Sequence, residues 1–277
     1  MIISDIKGTV KLWNGLEMPY LGLGVFEMAK GKETIQAIHW ALEAGYRHID
    51  TASLYMNEQS VGDAVKTSGV KRNDIFITTK MWNSEQGYRN ALDAFHRSLD
   101  KLQTDYVDLY LIHWPVKGKY IETWEALEEL YSKKLVKAVG VSNFLEHHIQ
   151  ELIDRNHLIP MVNQFEFHPL LSQPSLLEYC KKNNIRTEAW SPILKGRVNE
   201  IPLLIDIAEK YGKTPVQVTL RWDLQKGVIT IPKSSRKERI ISNADIFDFS
   251  LTEAEIQRID ALDENRRIGA DPDNFNF

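Results

Sequence analysis

The sequence predicts an α/β fold, a parallel (β/α)8 barrel of the TIM type. Eight short apolar segments of strand character alternate with helix-length amphipathic segments. The alternation extends over roughly 250 residues, the span such a barrel typically needs. No Pro/Gly/Ser-rich linker, low-complexity tract or sequence repeat interrupts it, so residues 1–277 read as one unit. An open doubly wound sheet gives a similar rhythm, and the pattern alone leaves that alternative standing.

The elements follow in order. Asn14-Gly15, inside KLWNGLEMP, sits between short apolar stretches and predicts an N-terminal β-hairpin, which would plug the N-terminal end of the barrel. The strands expected next are Leu21–Gly24, Arg47–Asp50, Ile75–Lys80, Val107–His113, Val136–Ser142, Met161–Glu166, Arg186–Trp190 and Val228–Pro232. Among the intervening helices, one carries Ile35, Ile38 and Leu42 on one face, and a later one carries Ala91, Phe95, Leu99 and Leu102. IPLLIDIAEKYG and TPVQVTLRWDLQ both fall before the last strand, and TEAEIQRIDAL follows it, giving a barrel with two extra helices.

Composition bounds the function. Hydrophobic residues at 43% and charged residues at 26% are ordinary for a soluble protein with a sizeable core. Acidic residues outnumber basic ones, 38 to 34, so nothing draws the chain to nucleic acid or to an anionic membrane. The one cysteine, Cys180, rules out an intrachain disulfide and a cysteine-based metal cage. No signal-like N-terminus and no span-length apolar run is evident, so a soluble cytoplasmic protein is expected. No interface patch stands out, which points to a monomer.

In such a barrel, chemistry gathers at the C-terminal ends of the strands. Asp50 ends the second expected strand, Lys80 the third, His113 the fourth and Ser142-Asn143 the fifth. The sixth contains Gln164, the seventh runs into Trp190-Ser191, and the eighth leads into Lys233-Ser234. Any one of these is more often structural than functional, but polar residues on successive strands at one end favour a site. A phenol has a pKa near 10, and an ammonium within a few ångströms favours the phenolate and lowers that value. A lysine at the rim needs a counter-charge in turn. The chain inferred is Tyr55 hydrogen-bonded to Lys80, Lys80 paired with Asp50, and His113 placed to orient a substrate oxygen.

These residues lie in segments that together resemble the aldo-keto reductase family: GYRHIDTASLYMNE, LQTDYVDLYLIHWP, VGVSNF, NQFEFHP, AWSPI and IPKSSRKERIISN, in order and over essentially the whole chain. The resemblance implies a catalytic tetrad of Asp50, Tyr55, Lys80 and His113, and NADPH-dependent reduction of aldehydes and ketones. It implies that Ser142, Asn143 and Gln164 hold the nicotinamide carboxamide and that Trp190, beside Ser191, stacks on the nicotinamide ring. Lys233, Ser234 and Arg239 resemble the clamp on the 2′-phosphate, and Asn243 would reach the adenine. Many relatives carry Glu where Ser242 stands and Tyr where Trp190 stands, which puts one adenine contact in doubt and preserves stacking. The short tail resembles that of bacterial reductases of glyoxals and keto-sugars, such as 2,5-diketo-D-gluconate.

Gly22-Leu23-Gly24 begins a dinucleotide fingerprint, but Glu27 occupies the third glycine position. Adjacent His147 and His148 should diverge onto a solvated face, His168 has no evident carboxylate or histidine partner at metal-ligand spacing, and no metal is expected. Phe26, Trp82 and Trp114 follow strands one, three and four and are expected to wall the substrate pocket. The tail ending in Phe275 and Phe277 either folds over the pocket mouth or stays loose. Two rivals remain: a lyase with Lys80 as Schiff-base nucleophile, and a cofactor-binding regulatory subunit.

Overall fold

The computed structural model describes residues 3–155 and 158–277. The hairpin forms as expected, with β1 (Thr9–Lys11) antiparallel to β2 (Glu17–Pro19). Gly15 takes φ +90° in its turn, a conformation glycine adopts without steric cost. The hairpin lies against strand beginnings. Asn14 Nδ2 donates to the Lys137 carbonyl at 2.9 Å and Arg186 Nε to the Lys11 carbonyl at 3.0 Å, so the hairpin covers the N-terminal end of the barrel.

Eight parallel strands follow in sequence order: β3 (Leu23–Gly24), β4 (His48–Asp50), β5 (Phe76–Met81), β6 (Val107–Ile112), β7 (Val136–Ser142), β8 (Val162–Glu166), β9 (Arg186–Trp190) and β10 (Ile229–Thr230). Bridges from Leu21 to Thr230 and from Gly24 to Lys233 join the first to the last and close the barrel. This seam explains why β3 and β10 are shorter than the sequence suggests. Their outer residues meet in single bridges and isolated bonds, such as Gly22 N–H to the Thr230 carbonyl at 2.9 Å, rather than in a continuous ladder. Close approach there demands glycine: a Cβ on Gly22 would lie 2.6 Å from His48 Nδ1, and one on Gly24 2.9 Å from the Ile231 carbonyl oxygen.

The helices between strands bury the faces their spacing indicated. α1 (Lys32–Glu43) buries Ala37, Ile38, Ala41 and Leu42, with Ile35 half-buried; α2 (Glu58–Thr67) follows, and α3 (Tyr88–Leu102) buries Ala91, Phe95, Leu99 and Leu102. Each buried Ile, Leu or Phe among them contributes about 1.5–3 kcal/mol on leaving water. α4 (Tyr120–Ser132), α5 (Glu146–Arg155) and α6 (Pro174–Lys182) continue the ring. After β9 come α7 (Pro202–Tyr211) and α8 (Pro215–Gln225), and after β10 come α9 (Lys237–Ala244) and α10 (Glu253–Asp260). Pro215 at the first position of α8, with a reciprocal Thr214–Gln217 cap, fixes where α8 begins. Among the described residues no helix is long and apolar enough to cross a membrane.

Candidate active site

The polar strand ends converge. Lys80 Nζ donates to Asp50 Oδ1 at 2.6 Å and to the Thr51 carbonyl at 2.9 Å, and lies 3.4 Å from Tyr55 Oη. Lys80 is fully buried, and parallel pairing of β4 with β5 brings its strand beside that of Asp50. Tyr55 stands on a short 3-10 turn, Ser53–Tyr55, tied down on both sides. Ser53 Oγ donates to Glu85 Oε2 at 2.7 Å, while Thr51 Oγ1 donates to Asn57 Oδ1 at 2.8 Å and Asn57 Nδ2 to the Val25 carbonyl at 2.9 Å. His113 packs edge-on to Tyr55 at 5.8 Å between ring centroids.

Burial works to strip the proton from Lys80, but Asp50, then Tyr55 and Glu188, together outweigh it and hold the ammonium above the ordinary lysine range. A lysine so held is a poor Schiff-base nucleophile. Tyr55 requires a correction. Lys80 does pull the phenol downward as expected, yet burial pushes it up more strongly, and the net shift is upward. The tyrosine is therefore a fully loaded acid in the resting site. Burial, then the charge of Lys80, drives His113 well below the usual histidine range, leaving a neutral imidazole.

A cleft of about 910 Å³ spans the C-terminal rim. Asp50, Tyr55 and His113 line it, with Lys80 directly behind them. Phe26, Trp82 and Trp114 line it as expected, with the Phe26 ring 4.9 Å from Tyr55 and Trp82 edge-on to His113 at 5.2 Å. Ser142, Asn143, Gln164, Trp190 and Ser191 also line it. Trp190 Nε1 donates to Asn143 Oδ1 at 2.8 Å, and Asn143 Nδ2 donates to the His113 carbonyl at 3.0 Å, so the indole is held to the end of the strand that leads into His113. Further along stand Lys233, Ser234, Arg239 and Asn243. Lys233, Arg236 and Arg239 are exposed and form no ion pair among the described residues, leaving a group of cations with nothing to neutralise them.

Several site features escaped the sequence. Glu188, on β9, is a fully buried carboxyl whose Oε2 accepts from Gln164 Nε2 at 2.7 Å. Lys195, in the loop after β9, pairs with Glu27 at 3.3 Å, and both residues line the cleft. The tail is anchored rather than loose. Phe277 stacks on Trp82 at 5.6 Å, Phe275 lies 5.1 Å from Trp114, and Asn83 Nδ2 donates to the Phe277 carbonyl at 3.0 Å.

The histidines need correcting too. His168 has a carboxylate partner, Glu166 Oε1 at 3.0 Å, two residues away, because both are buried where the strand ends. Glu166 also accepts from the tail N–H groups of Ile268 at 2.6 Å and Gly269 at 3.1 Å. His147 and His148 converge instead of diverging, with Nε2 atoms 2.9 and 3.3 Å from Asp273 Oδ1, because the tail brings a carboxylate to both rings. These three donor atoms lie within 4.8 Å of one another. His148 Nδ1, however, accepts the Leu145 N–H at 3.2 Å, so its proton sits on Nε2 and points at Asp273. That arrangement makes a hydrogen-bonded clip for the tail.

The model of the aldo/keto reductase family matches residues 20–264. The chain is similar to glyoxal reductase of Bacillus subtilis, 53% identical over 274 residues covering 99% of each chain. It is also similar to methylglyoxal reductase of Escherichia coli, 46% identical over 270 residues covering 96% of this chain and 97% of the other. Among solved structures, an aldo-keto reductase from a deep-sea metagenome library superposes with a TM-score of 0.94 at 44% identity, covering 97% of this chain and 100% of that one. A mutant of Gox0644 in complex with NADPH gives a TM-score of 0.93 at 43% identity, covering 97% and 98%.

Proposed function

Because the chain belongs to the aldo/keto reductase family, we propose that it reduces small aldehydes and ketones to alcohols with NADPH, Tyr55 supplying the proton. One observation carries the reading: a buried Asp50–Lys80–Tyr55 chain opens into a cleft that also holds unpaired cations. The residues fit the cofactor. Lys233, Ser234 and Arg239 would hold the 2′-phosphate through charge-assisted bonds of about 1.5–3 kcal/mol each. Asn243 would reach the adenine, Ser142, Asn143 and Gln164 the carboxamide, and Trp190 with Ser191 the nicotinamide ring.

When bound, NADPH supplies the hydride. The chain's own residues handle the proton. Tyr55 Oη holds it in the resting site, because burial raises the phenol. An alkoxide is a far stronger base than a phenolate, so transfer from Tyr55 to a developing alkoxide runs downhill even from a raised pKa. Lys80 stabilises the phenolate left behind, and Asp50 keeps Lys80 charged. Neutral His113 positions the carbonyl oxygen. Phe26, Trp82 and Trp114 give an apolar wall suited to small dicarbonyls or keto-sugars, the first being the substrates for which the two reductases above are named.

The reading extends to a soluble cytoplasmic monomer working as one barrel unit over residues 1–277, testable by light scattering in solution. The decisive experiment follows NADPH absorbance against a panel of glyoxals, keto-sugars and simple aldehydes. Turnover of at least one class is expected. Tyr55→Phe should keep NADPH binding while kcat falls by about 10²–10⁴, and retained activity would overturn the proton-donor assignment.

A further inference from the structure

Beneath the proton-donor chain lies a second buried carboxyl that the proposed chemistry leaves unused. Glu188 precedes Trp190 by two residues on β9, so strand alternation sets both on one face, with Glu188 one layer deeper in the barrel. It pairs in register with Gln164 on β8. Stability alone would fill this layer with apolar side chains.

Gln164 Nε2 donates to Glu188 Oε2 at 2.7 Å and to Asp50 Oδ2 at 2.8 Å. A primary amide has two N–H donors and one carbonyl acceptor. With both donors taken, a flipped amide would set its oxygen against two acceptors. The carbonyl is thus the group Gln164 offers to the cleft it lines.

The surroundings of Glu188 suit an acceptor that keeps a proton. Its Oε1 has no hydrogen-bond partner among the described residues and faces His48 Nε2 at 3.7 Å. Burial and then the charge of Asp50 push the Glu188 carboxyl up to about 8. His48 is held neutral, lowered to about 3 by burial and Lys80. Oε2 is the oxygen that accepts from Gln164, and His48 Nε2 is engaged by Thr78 Oγ1 at 3.0 Å, so a proton kept by the carboxyl sits on Oε1 and leaves Oε2 as the acceptor.

We propose that Glu188 is a positioning residue for the nicotinamide carboxamide: it takes the second N–H of Gln164 and so commits the Gln164 carbonyl to accept from that carboxamide. The inference rests on the cleft being an NADPH site with Gln164 at its carboxamide end. It concerns the orientation of one amide.

Glu188→Leu removes the acceptor at similar volume, and Glu188→Gln keeps one. Dissociation constants are read from quenching of tryptophan fluorescence by NADPH and by 2′-phospho-ADP, which carries the phosphates and adenine but no nicotinamide. Glu188→Leu should weaken NADPH about tenfold, the effect of one lost oriented hydrogen bond. Glu188→Gln should recover to within about threefold of the parent, and 2′-phospho-ADP should bind all three alike. Undiminished NADPH affinity in Glu188→Leu, equal losses in both variants, or parallel weakening of 2′-phospho-ADP would each overturn the proposal. If Glu188→Leu does not fold, Glu188→Met makes the same comparison. A parent protein that binds no NADPH would instead sink the cofactor reading itself.

Discussion

Replacing Glu188 by Gln should change how stability depends on pH. The carboxyl sits near 8 in the folded protein, raised by burial and then by Asp50, against an ordinary value of 4.5. Below 4.5 both states hold the proton and there is no penalty. Between 4.5 and 8 the unfolded chain releases the proton while the folded chain keeps it, so folding loses stability steadily as pH rises. Above 8 both are ionised and the loss levels off. At 1.36 kcal/mol per unit the window is worth on the order of 5 kcal/mol. Glutamine cannot ionise, so the variant escapes this loss. Urea denaturation of both proteins from pH 5 to pH 9 measures the difference, in which titrating groups remote from Glu188 cancel to first order. The variant should gain on the parent by several kcal/mol across the series. Parallel stability curves would refute a protonated Glu188 and show instead that the cluster carries two ionised carboxylates beside one ammonium.

Three further outcomes are expected. Lys80→Met leaves Asp50 buried without its ammonium and should destabilise the protein by about 3–5 kcal/mol, read from the urea midpoint, besides abolishing turnover. Arg239→Ala removes one charge-assisted bond and should raise the NADPH dissociation constant about 10- to 100-fold, with NADH binding little changed; equal losses for both would remove Arg239 from the phosphate site. Phe277→Ala deletes the ring stacked on Trp82 and should raise KM for small carbonyls about two- to tenfold, while NADPH affinity holds. An unchanged KM would mean that the tail packs there without shaping the pocket.

What could be read from the sequence was whatever lies close together along the chain or repeats with a period. Asn14-Gly15 announced its hairpin, and the apolar spacing of α1 and α3 announced their buried faces. The convergence of Asp50, Lys80 and His113 was legible because three successive strands carry a polar residue at or within one position of the same end, with Tyr55 on the turn just beyond the first of them. Contacts between distant segments left no such mark. Asp273 meets His148 across 125 positions, and nothing local to either residue signals the other. The closing seam between β3 and β10 shortened both strands for the same reason, since ladder length there depends on where the barrel shuts.

Glu188 is a different kind of omission, because its signal was present. A carboxylate in the middle of RTEAW, on a strand with a buried centre, breaks the apolar layer as plainly as Asp50 does at the end of its own strand. His48 does the same one layer below Asp50. Attention to strand ends alone passes over this second polar layer. The depth that hides it also reverses the sign at Tyr55: a lysine 3.4 Å away lowers a phenol's pKa in any partly solvated setting, but here the loss of water acts more strongly than the ammonium. Sequence can supply the partners in such a cluster, whereas the balance between their attraction and their desolvation is set by how far the barrel buries them. A site this deep keeps Tyr55 protonated, and it carries Glu188 in its neutral form at a cost to stability as pH rises.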